Sequence, residues 1–167
     1  MRDHTVASFG PDGRYTRHSE GSFLRLDDGR ILFVYSRFSG GYDDDADCDL
    51  AASWSSDEGE TWTEPVRVIS AASHGVGNIM SVSLLRMQNG DAGVFYGVKD
   101  SPSRNRFWLA RSRDGGRTFY RRTECSLSDR PGYYVLNNDR VIRLSSGRLV
   151  LPLAYHRGGY DVKAENL

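Results

Sequence analysis

Short apolar runs alternate with polar turns along this chain, and one arrangement of them recurs three times. The segment LRLDDG at residues 24–29 returns as LRMQNG at 85–90 and as IRLSSG at 142–147, so that Gly29, Gly90 and Gly147 follow one another at nearly equal intervals. An apolar run precedes each copy, and another follows it at 31–35, 92–96 and 149–153. A strand, a short polar turn ending in glycine and a second strand predict a β-hairpin.

A second repeat lies between the copies of the first. The segment SSDEGETW at residues 55–62 matches SRDGGRTF at 112–119, which gives the pattern Ser-x-Asp-x-Gly-x-Thr-aromatic. Serine and aspartate side chains can accept hydrogen bonds from turn amides, and glycine can adopt a positive φ. We therefore expect a turn between two strands, with the aromatic residue beginning the second strand and facing the core.

One period of the repeat, from one glycine turn to the next, thus contains four antiparallel strands. The distance between Gly29, Gly90 and Gly147 is typical of a propeller blade. The predicted fold class is all-β, a β-propeller of four-stranded antiparallel blades. The first blade is expected at about residues 15–70, the second at about 76–124, and an incomplete third at about 134–167. No segment predicts a convincing helix.

The second repeat is the Asp-box, or BNR repeat, and its setting resembles the sialidase (neuraminidase) superfamily of glycoside hydrolases. The segments EGSFL at 20–24, NIMSVS at 78–83 and NNDRV at 137–141 resemble bacterial proteins of the exo-α-sialidase type. The resemblance implies a six-bladed wheel, of which this chain would be roughly the first half. The Asp-boxes themselves are expected to be structural turns, because they also occur in non-catalytic propellers.

Composition narrows the classes of function. The chain has 167 residues with 22 Lys+Arg against 22 Asp+Glu, and this balance gives no basic field for nucleic acid or an anionic membrane. No apolar run approaches the roughly 20 residues of a membrane span, and the N-terminus has no signal peptide, so localisation stays unknown. Cys48 and Cys125 are expected to be ordinary thiols. We assign no cofactor and no metal.

The resemblance places the candidate catalytic residues in the loop after the second strand. In the sialidase pattern an arginine ends that strand and the general acid/base aspartate follows, which corresponds to Arg37 and to Asp43 or Asp44. Crowded carboxyl groups have raised pKa values, which would help one of them to protonate a glycosidic oxygen. Polar residues expected on the same channel face complete the candidate substrate-binding set: Arg17, His18, Glu20, Arg37, Asn78, Asn137, Asn138, Asp139, His156 and Arg157.

Several alternatives stay open for these residues. The aspartates could form a solvated loop, or alternate ones at 43, 45, 47 and 49 could bind Ca²⁺, although the spacing is not that of an EF-hand. Asn138 and Asp139 could equally form a turn. The chain lacks the Arg-Ile-Pro of sialidases; Arg17 could substitute, but Glu20 beside it would repel a carboxylate sugar.

The sequence therefore predicts a sialidase-like glycoside hydrolase segment that acts on or binds a terminal sugar of a glycan. The nucleophile and most of the arginine triad would belong to later blades, so enzymatic activity of this chain stays uncertain. The alternatives are a non-catalytic propeller for carbohydrate or protein binding, and a truncated fragment without independent activity. Self-association through the open blade faces is a physical expectation.

Overall fold

The computed structural model describes residues 5–126, 129–157 and 159, and these residues form β-structure almost throughout. They contain no α-helix; a single 3₁₀ turn covers Ala71–His74. No helix among the described residues is long and apolar enough to cross a membrane. The strands are β1 (Arg17–Arg25), β2 (Ile31–Ser39), β3 (Asp47–Ser55), β4 (Val66–Ile69), β5 (Asn78–Arg86), β6 (Ala92–Ser101), β7 (Arg104–Ser112), β8 (Arg121–Glu124), β9 (Tyr133–Val135), β10 (Ile142–Arg143), β11 (Leu149–Val150) and β12 (Ala154–His156).

The strands pair in sequence order. Strands β1 to β4 form a first antiparallel unit, and β5 to β8 form a second one. A single parallel residue pair, Cys48 with Asn78, joins the first unit to the second, and Asn105 with Tyr133 joins the second to β9. Cys48 and Asn105 are separated by one sequence period and are therefore equivalent positions of the two units. The prediction of an all-β, partial β-propeller is confirmed.

The glycine turns close the hairpins as the repeat predicts. In the first hairpin the Leu26 N–H donates to the Arg30 carbonyl at 2.7 Å, and the Gly29 N–H donates back to the Leu26 carbonyl at 3.1 Å. Gly29 has a φ of 87°, and the equivalent Gly90 and Gly147 have nearly the same value. Only glycine adopts this conformation without strain, which explains why the turn recurs with glycine at its end.

The third unit differs from the other two. Strands β9 and β12 pair with each other, whereas β10 and β11 form a separate two-stranded sheet. The sequence predicts a continuous strand at 149–153, but the structure ends β11 at Val150 and starts β12 at Ala154. Pro152 lies in this gap and has no N–H to donate to a neighbouring strand, so a break at this position has a direct cause.

The core lies between the units, and the alternation along β2 determines its two faces. Leu32 and Val34 pack with Val94 and Tyr96 of the second unit in one buried cluster. The alternate residues of β2 face the other way, and among them Phe33 contacts the ring of Phe9. The side chain of Trp54 is buried in the same cluster and donates its Nε1–H to the Gly115 carbonyl at 2.7 Å.

Each Asp-box is a turn held by its own side chains. The Ser55 hydroxyl accepts the Gly59 N–H at 2.8 Å, and the Asp57 carboxylate accepts both N–H and O–H of Thr61. The Thr61 hydroxyl bond is the largest reason that the pKa of Asp57 is lowered to about 2. The second Asp-box repeats these bonds around Asp114.

The aromatic residue of the first Asp-box does not begin a strand as expected. Strand β4 starts only at Val66, and Trp62 lies before it, half-buried. The indole donates its Nε1–H back to the Gly59 carbonyl at 2.9 Å, while its ring contacts Phe9 and Phe33. The N-terminal segment thus provides a packing partner for Trp62 that the repeat alone does not reveal.

Candidate functional site

A polar cluster lies where β1 and β5 begin and β2 and β6 end. The loop between β2 and β3 reaches this position, and its Asp44 carboxylate forms an ion pair of 2.7 Å with the Arg17 guanidinium. The Asp44 backbone carbonyl accepts from the Lys99 ammonium at 2.5 Å and from the Asn78 amide at 3.0 Å. Groups from both units therefore hold this loop over the strand ends, and we refer to these residues together with Glu20 and Ser81 as the Asp44 cluster.

Glu20 and Ser81 enter the cluster from two equivalent β-bulges. Both lie where the pairing register shifts, and their φ values are 53° and 62°. A non-glycine residue in this left-handed region costs about 1–2 kcal/mol, so the rest of the fold must impose it. The Ser81 hydroxyl lies 3.4 Å from the Glu20 carboxylate. The two bulges thus bring neighbouring side chains towards each other.

The ionisable groups of the Asp44 cluster have unequal surroundings. Burial, together with the negative charge of Asp44, raises the pKa of Glu20 above its usual value. Burial also lowers the pKa of the Lys99 ammonium, while the charges of Asp44 and Asp45 oppose that change. The cluster therefore contains one carboxylate paired with a cation, and a second carboxyl group whose surroundings favour the protonated form.

Asn138 and Asp139 of the third unit contact the middle of β1, just after Glu20. The Asp139 carboxylate accepts the Ser22 hydroxyl at 2.8 Å, and the Asn138 amide donates to the Gly21 carbonyl at 3.3 Å. Asp139 also has a positive φ, 56°, and its N–H donates to the Val82 carbonyl at 2.9 Å. These two side chains tie the third unit to the first, whereas that of Asn137 is exposed.

Arg37 and His18 lie on the opposite face of the β1–β2 hairpin. They pair with each other in the register, while Arg17 pairs with Phe38, so the alternation of side chains separates the two pairs. The Arg37 guanidinium stacks 3.9 Å from the centre of the Tyr15 ring, whereas that of Arg17 lies 3.8 Å from the centre of Phe38. The structure therefore brings Arg17 to Asp44 and places Arg37 in a separate cavity.

The remaining candidates lie at exposed positions. Asp43 is exposed beside Asp44, with its backbone carbonyl accepting the Ala46 N–H at 3.1 Å. His156 and Arg157 are exposed at the end of β12, where the His156 ring is 6.1 Å from that of Tyr133. Across the described residues, no group of three or more His, Cys, Asp or Glu side chains is arranged to hold a metal ion.

Sequence reasoning includes Ser81 and Lys99 in polar segments of the expected channel face, at 78–81 and 99–105, but names neither as a site residue. The interval from Glu20 to Ser81 equals that from Gly29 to Gly90, the first two glycine turns. Aligning the repeats beyond the turn would have identified Ser81 as the counterpart of Glu20. Lys99 has no such signal, because it comes to Asp44 only through the packing of one unit against the next.

Comparisons with known proteins agree with this architecture. The BNR repeat-like domain family matches residues 29–165. The Hadza microbial sialidase Hz136 is similar in structure, with a TM-score of 0.67 and 18% identity over 83% of this chain and 32% of that one. A Dyadobacter fermentans protein of unknown function has a TM-score of 0.65 and 16% identity, over 83% of this chain and 46% of its own.

These two relatives are similar in fold, and this chain spans about a third of the length of the first and less than half of the second. A search of curated protein sequences found no match. The family match extends over well more than half of the residues and includes both Asp-boxes and two of the three hairpin turns. The chain belongs to the BNR repeat-like domain family.

Proposed function

We propose that this chain supplies part of the glycan site of a sialidase-like glycoside hydrolase, with Asp44 as the general acid/base. The observation that carries the proposal is the Asp44 cluster itself. Arg17, Asn78 and Lys99, from the ends of three strands, fix a loop whose aspartate side chain is still 49% exposed. A carboxyl group that is held in place yet accessible is what proton transfer to a bound sugar requires.

Glu20 supports the same chemistry from beside Asp44. Glycosidases separate the roles of two carboxyl groups by giving them different surroundings. Here Asp44 is paired with Arg17, whereas burial and the nearby Asp44 charge raise the pKa of Glu20. In this proposal Arg17 orients the substrate and Asp44, while a protonated Glu20 adds no second negative charge beside Asp44.

Residues of the third unit are proposed to provide hydrogen bonds to sugar hydroxyls. Asn137 is exposed and available for this role, as are His156 and Arg157 at the end of β12. Asn138 and Asp139 already bond to the first unit, which favours their role as a turn that fixes the position of their neighbours. His18 and Arg37 lie on the other face of the hairpin and are not included in this glycan site.

The test is hydrolysis of a panel of fluorogenic terminal glycosides, including a sialoside, by the wild-type chain and by three variants. Asp44→Asn should lower the rate by about 10²–10⁴-fold, the usual contribution of a general acid/base. Asp43→Asn asks whether the neighbouring aspartate shares the role. Asp45→Asn is the matched control, because it removes an equal charge from an exposed position in the same loop.

Equal rates for the wild type and Asp44→Asn would contradict the catalytic proposal. If no glycoside is cleaved but a glycan array shows binding that Asp44→Asn abolishes, the non-catalytic carbohydrate-binding propeller is the correct alternative. Binding to proteins alone would favour an interaction module, and loss of both readouts would leave the Asp44 cluster without a function in this chain.

A further inference from the structure

A cavity of about 450 Å³ opens on the face of the β1–β2 hairpin that points away from the second unit. The segment at residues 12–15 forms one wall, and residues 64–67, which lead into β4, form another. His18, Tyr35 and Arg37 form its floor. Because Arg17 and Arg37 point to opposite faces of the hairpin, this cavity is distinct from the Asp44 cluster.

Three polar atoms on the floor of the cavity are buried and have no hydrogen-bond partner among the described residues. They are the Arg37 Nε, the Tyr35 hydroxyl and the His18 Nε2. Arg37 is only 7% exposed and Tyr35 only 1%. Buried polar groups almost always have partners, and a buried charge without one is costly. Three such atoms around one cavity therefore point to a ligand that supplies the missing partners.

The charges around the cavity indicate the ligand's charge. Arg14, Arg37 and Arg67 face Asp12 and Glu64, which leaves an excess of one positive charge. The Asp12 carboxylate is already engaged by the N–H groups of Arg14 and Tyr15, at 2.8 and 2.9 Å. Arg67 is paired with Asp49, outside the cavity, at 3.1 Å. With Arg67 paired to Asp49, the remaining lining charges balance, so the case for an anion rests on the buried Arg37 guanidinium, which a single carboxylate can pair with.

Hydrogen-bond chemistry narrows the ligand further. The His18 Nδ1 lies 3.0 Å from the Phe9 carbonyl, which can only accept, so this nitrogen carries the proton. The Nε2 of the neutral ring is then an acceptor, whereas the Arg37 Nε–H and the Tyr35 O–H are donors. The cavity thus offers two donors suited to a carboxylate and one acceptor suited to a hydroxyl group.

We propose that this cavity binds a small hydroxycarboxylate. Its carboxylate accepts hydrogen bonds from Arg37 and Tyr35, and its hydroxyl group donates to His18. The stacking of Arg37 on Tyr15 holds the guanidinium plane and leaves its edge for the ligand. This site goes beyond the proposed function, because it lies on the other face of the hairpin and uses none of the residues of the Asp44 cluster.

The experiment is an NMR titration of the full chain with glycolate at constant ionic strength, following the Arg37 Nε–Hε resonance. We expect a saturable shift with glycolate, weaker binding of acetate, which lacks the hydroxyl group, and no saturable shift with glycolamide, which lacks the charge. Arg37→Gln should weaken glycolate binding at least about tenfold, the usual loss for a charged hydrogen bond. Arg104→Gln, an exposed arginine outside this cavity, is the matched control and should bind normally.

Equal shifts with glycolate and glycolamide, or unchanged affinity of Arg37→Gln, would overturn the proposal. If that variant does not fold, Tyr35→Phe removes only the hydroxyl group and should still weaken binding severalfold. A dilution series without added ligand distinguishes the source of the carboxylate: movement of the Arg37 resonance with protein concentration would show that a second chain fills the cavity, which would also overturn the proposal. None of these readouts depends on glycoside hydrolysis.

Discussion

A single hydroxyl group, that of Ser22, links all three units of the chain, and its removal should measure how strongly they depend on one another. Ser22 is 1% exposed; its Oγ accepts the Leu84 N–H at 2.9 Å and donates to the Asp139 carboxylate at 2.8 Å. Ser83, which occupies the equivalent place in the second unit, accepts the Arg140 N–H at 3.0 Å in the same manner. We predict that Ser22→Ala destabilises the protein more than Ser83→Ala does.

The structure sets the magnitudes. Leu84 is 5% exposed, so without the Ser22 oxygen its N–H stays buried with no acceptor, which costs about 1–3 kcal/mol. Asp139 is exposed, and water can replace the lost bond there at little cost. We therefore expect a loss of about 2 kcal/mol for Ser22→Ala. Arg140 is exposed as well, so that Ser83→Ala should cost about 1 kcal/mol or less.

The assay is urea unfolding of each variant, monitored by tryptophan fluorescence and by circular dichroism to confirm that the two transitions coincide. Ser145→Ala is the control, because Ser145 is exposed in the third glycine turn and should change stability by less than about 0.5 kcal/mol. A Ser22→Ala variant as stable as this control would refute the reasoning. It would mean that the Leu84 N–H finds another partner, or that the units do not support one another.

Four further predictions follow from particular side chains. The pKa of Asp57 and Asp114 is about 2 in the folded protein, below the ordinary 3.8. The stability that these two carboxylates give to the fold should therefore be complete above pH 4 and lost as the pH falls towards 2. Replacing both by Asn should flatten the acid limb of a profile of unfolding free energy against pH. Glu20→Gly should raise the free energy of unfolding by about 1 kcal/mol by relieving a φ of 53°, yet reduce glycoside turnover or glycan binding; a fall in stability in urea unfolding would contradict it. Trp54→Phe should cost about 1 kcal/mol in the same assay through the lost Nε1–H bond, and no change would contradict the inter-blade contact. Phe23 is 58% exposed on the open face of β1, so Phe23→Ser should reduce concentration-dependent self-association in size-exclusion chromatography; a monomeric wild type would remove that expectation.

The fold could be predicted from the sequence because its determinants are local and repeated. A glycine turn needs only a few adjacent residues, and the Asp-box holds itself through bonds from Ser55 and Asp57 within its own short segment. Each signal occurs more than once at one period, which converts weak local evidence into an architecture. The position of Trp62 could not be predicted in this way, because its partner Phe9 belongs to a segment outside the repeat.

The candidate site was only partly predictable from the sequence, because side chains alternate between the two faces of a strand. The sequence expectation joined Arg37 to the aspartate loop because, in the sialidase pattern, an arginine that ends the second strand precedes the catalytic aspartate. However, neighbouring residues on a strand face opposite sides, and Arg17 and Arg37 are on opposite faces of the hairpin. The partner of Asp44 is therefore the arginine that begins β1, at the far end of the hairpin in sequence.

Backbone strain explains why the alternation of apolar and polar residues could not locate the centre of the site. The first two units place a non-glycine residue with positive φ at the bulge of their first strand, Glu20 and Ser81, and the third unit has one, Asp139, in the turn after β9. A bulge there changes the face on which the following side chains lie, so the pattern that predicts the strand loses its register just where the units meet. A purely structural turn would be expected to use glycine at these positions, because glycine removes the strain. Polar side chains occupy all three positions, with Glu20 contacting Ser81 and Asp139 contacting Ser22, so each strained residue also provides a side-chain contact between units.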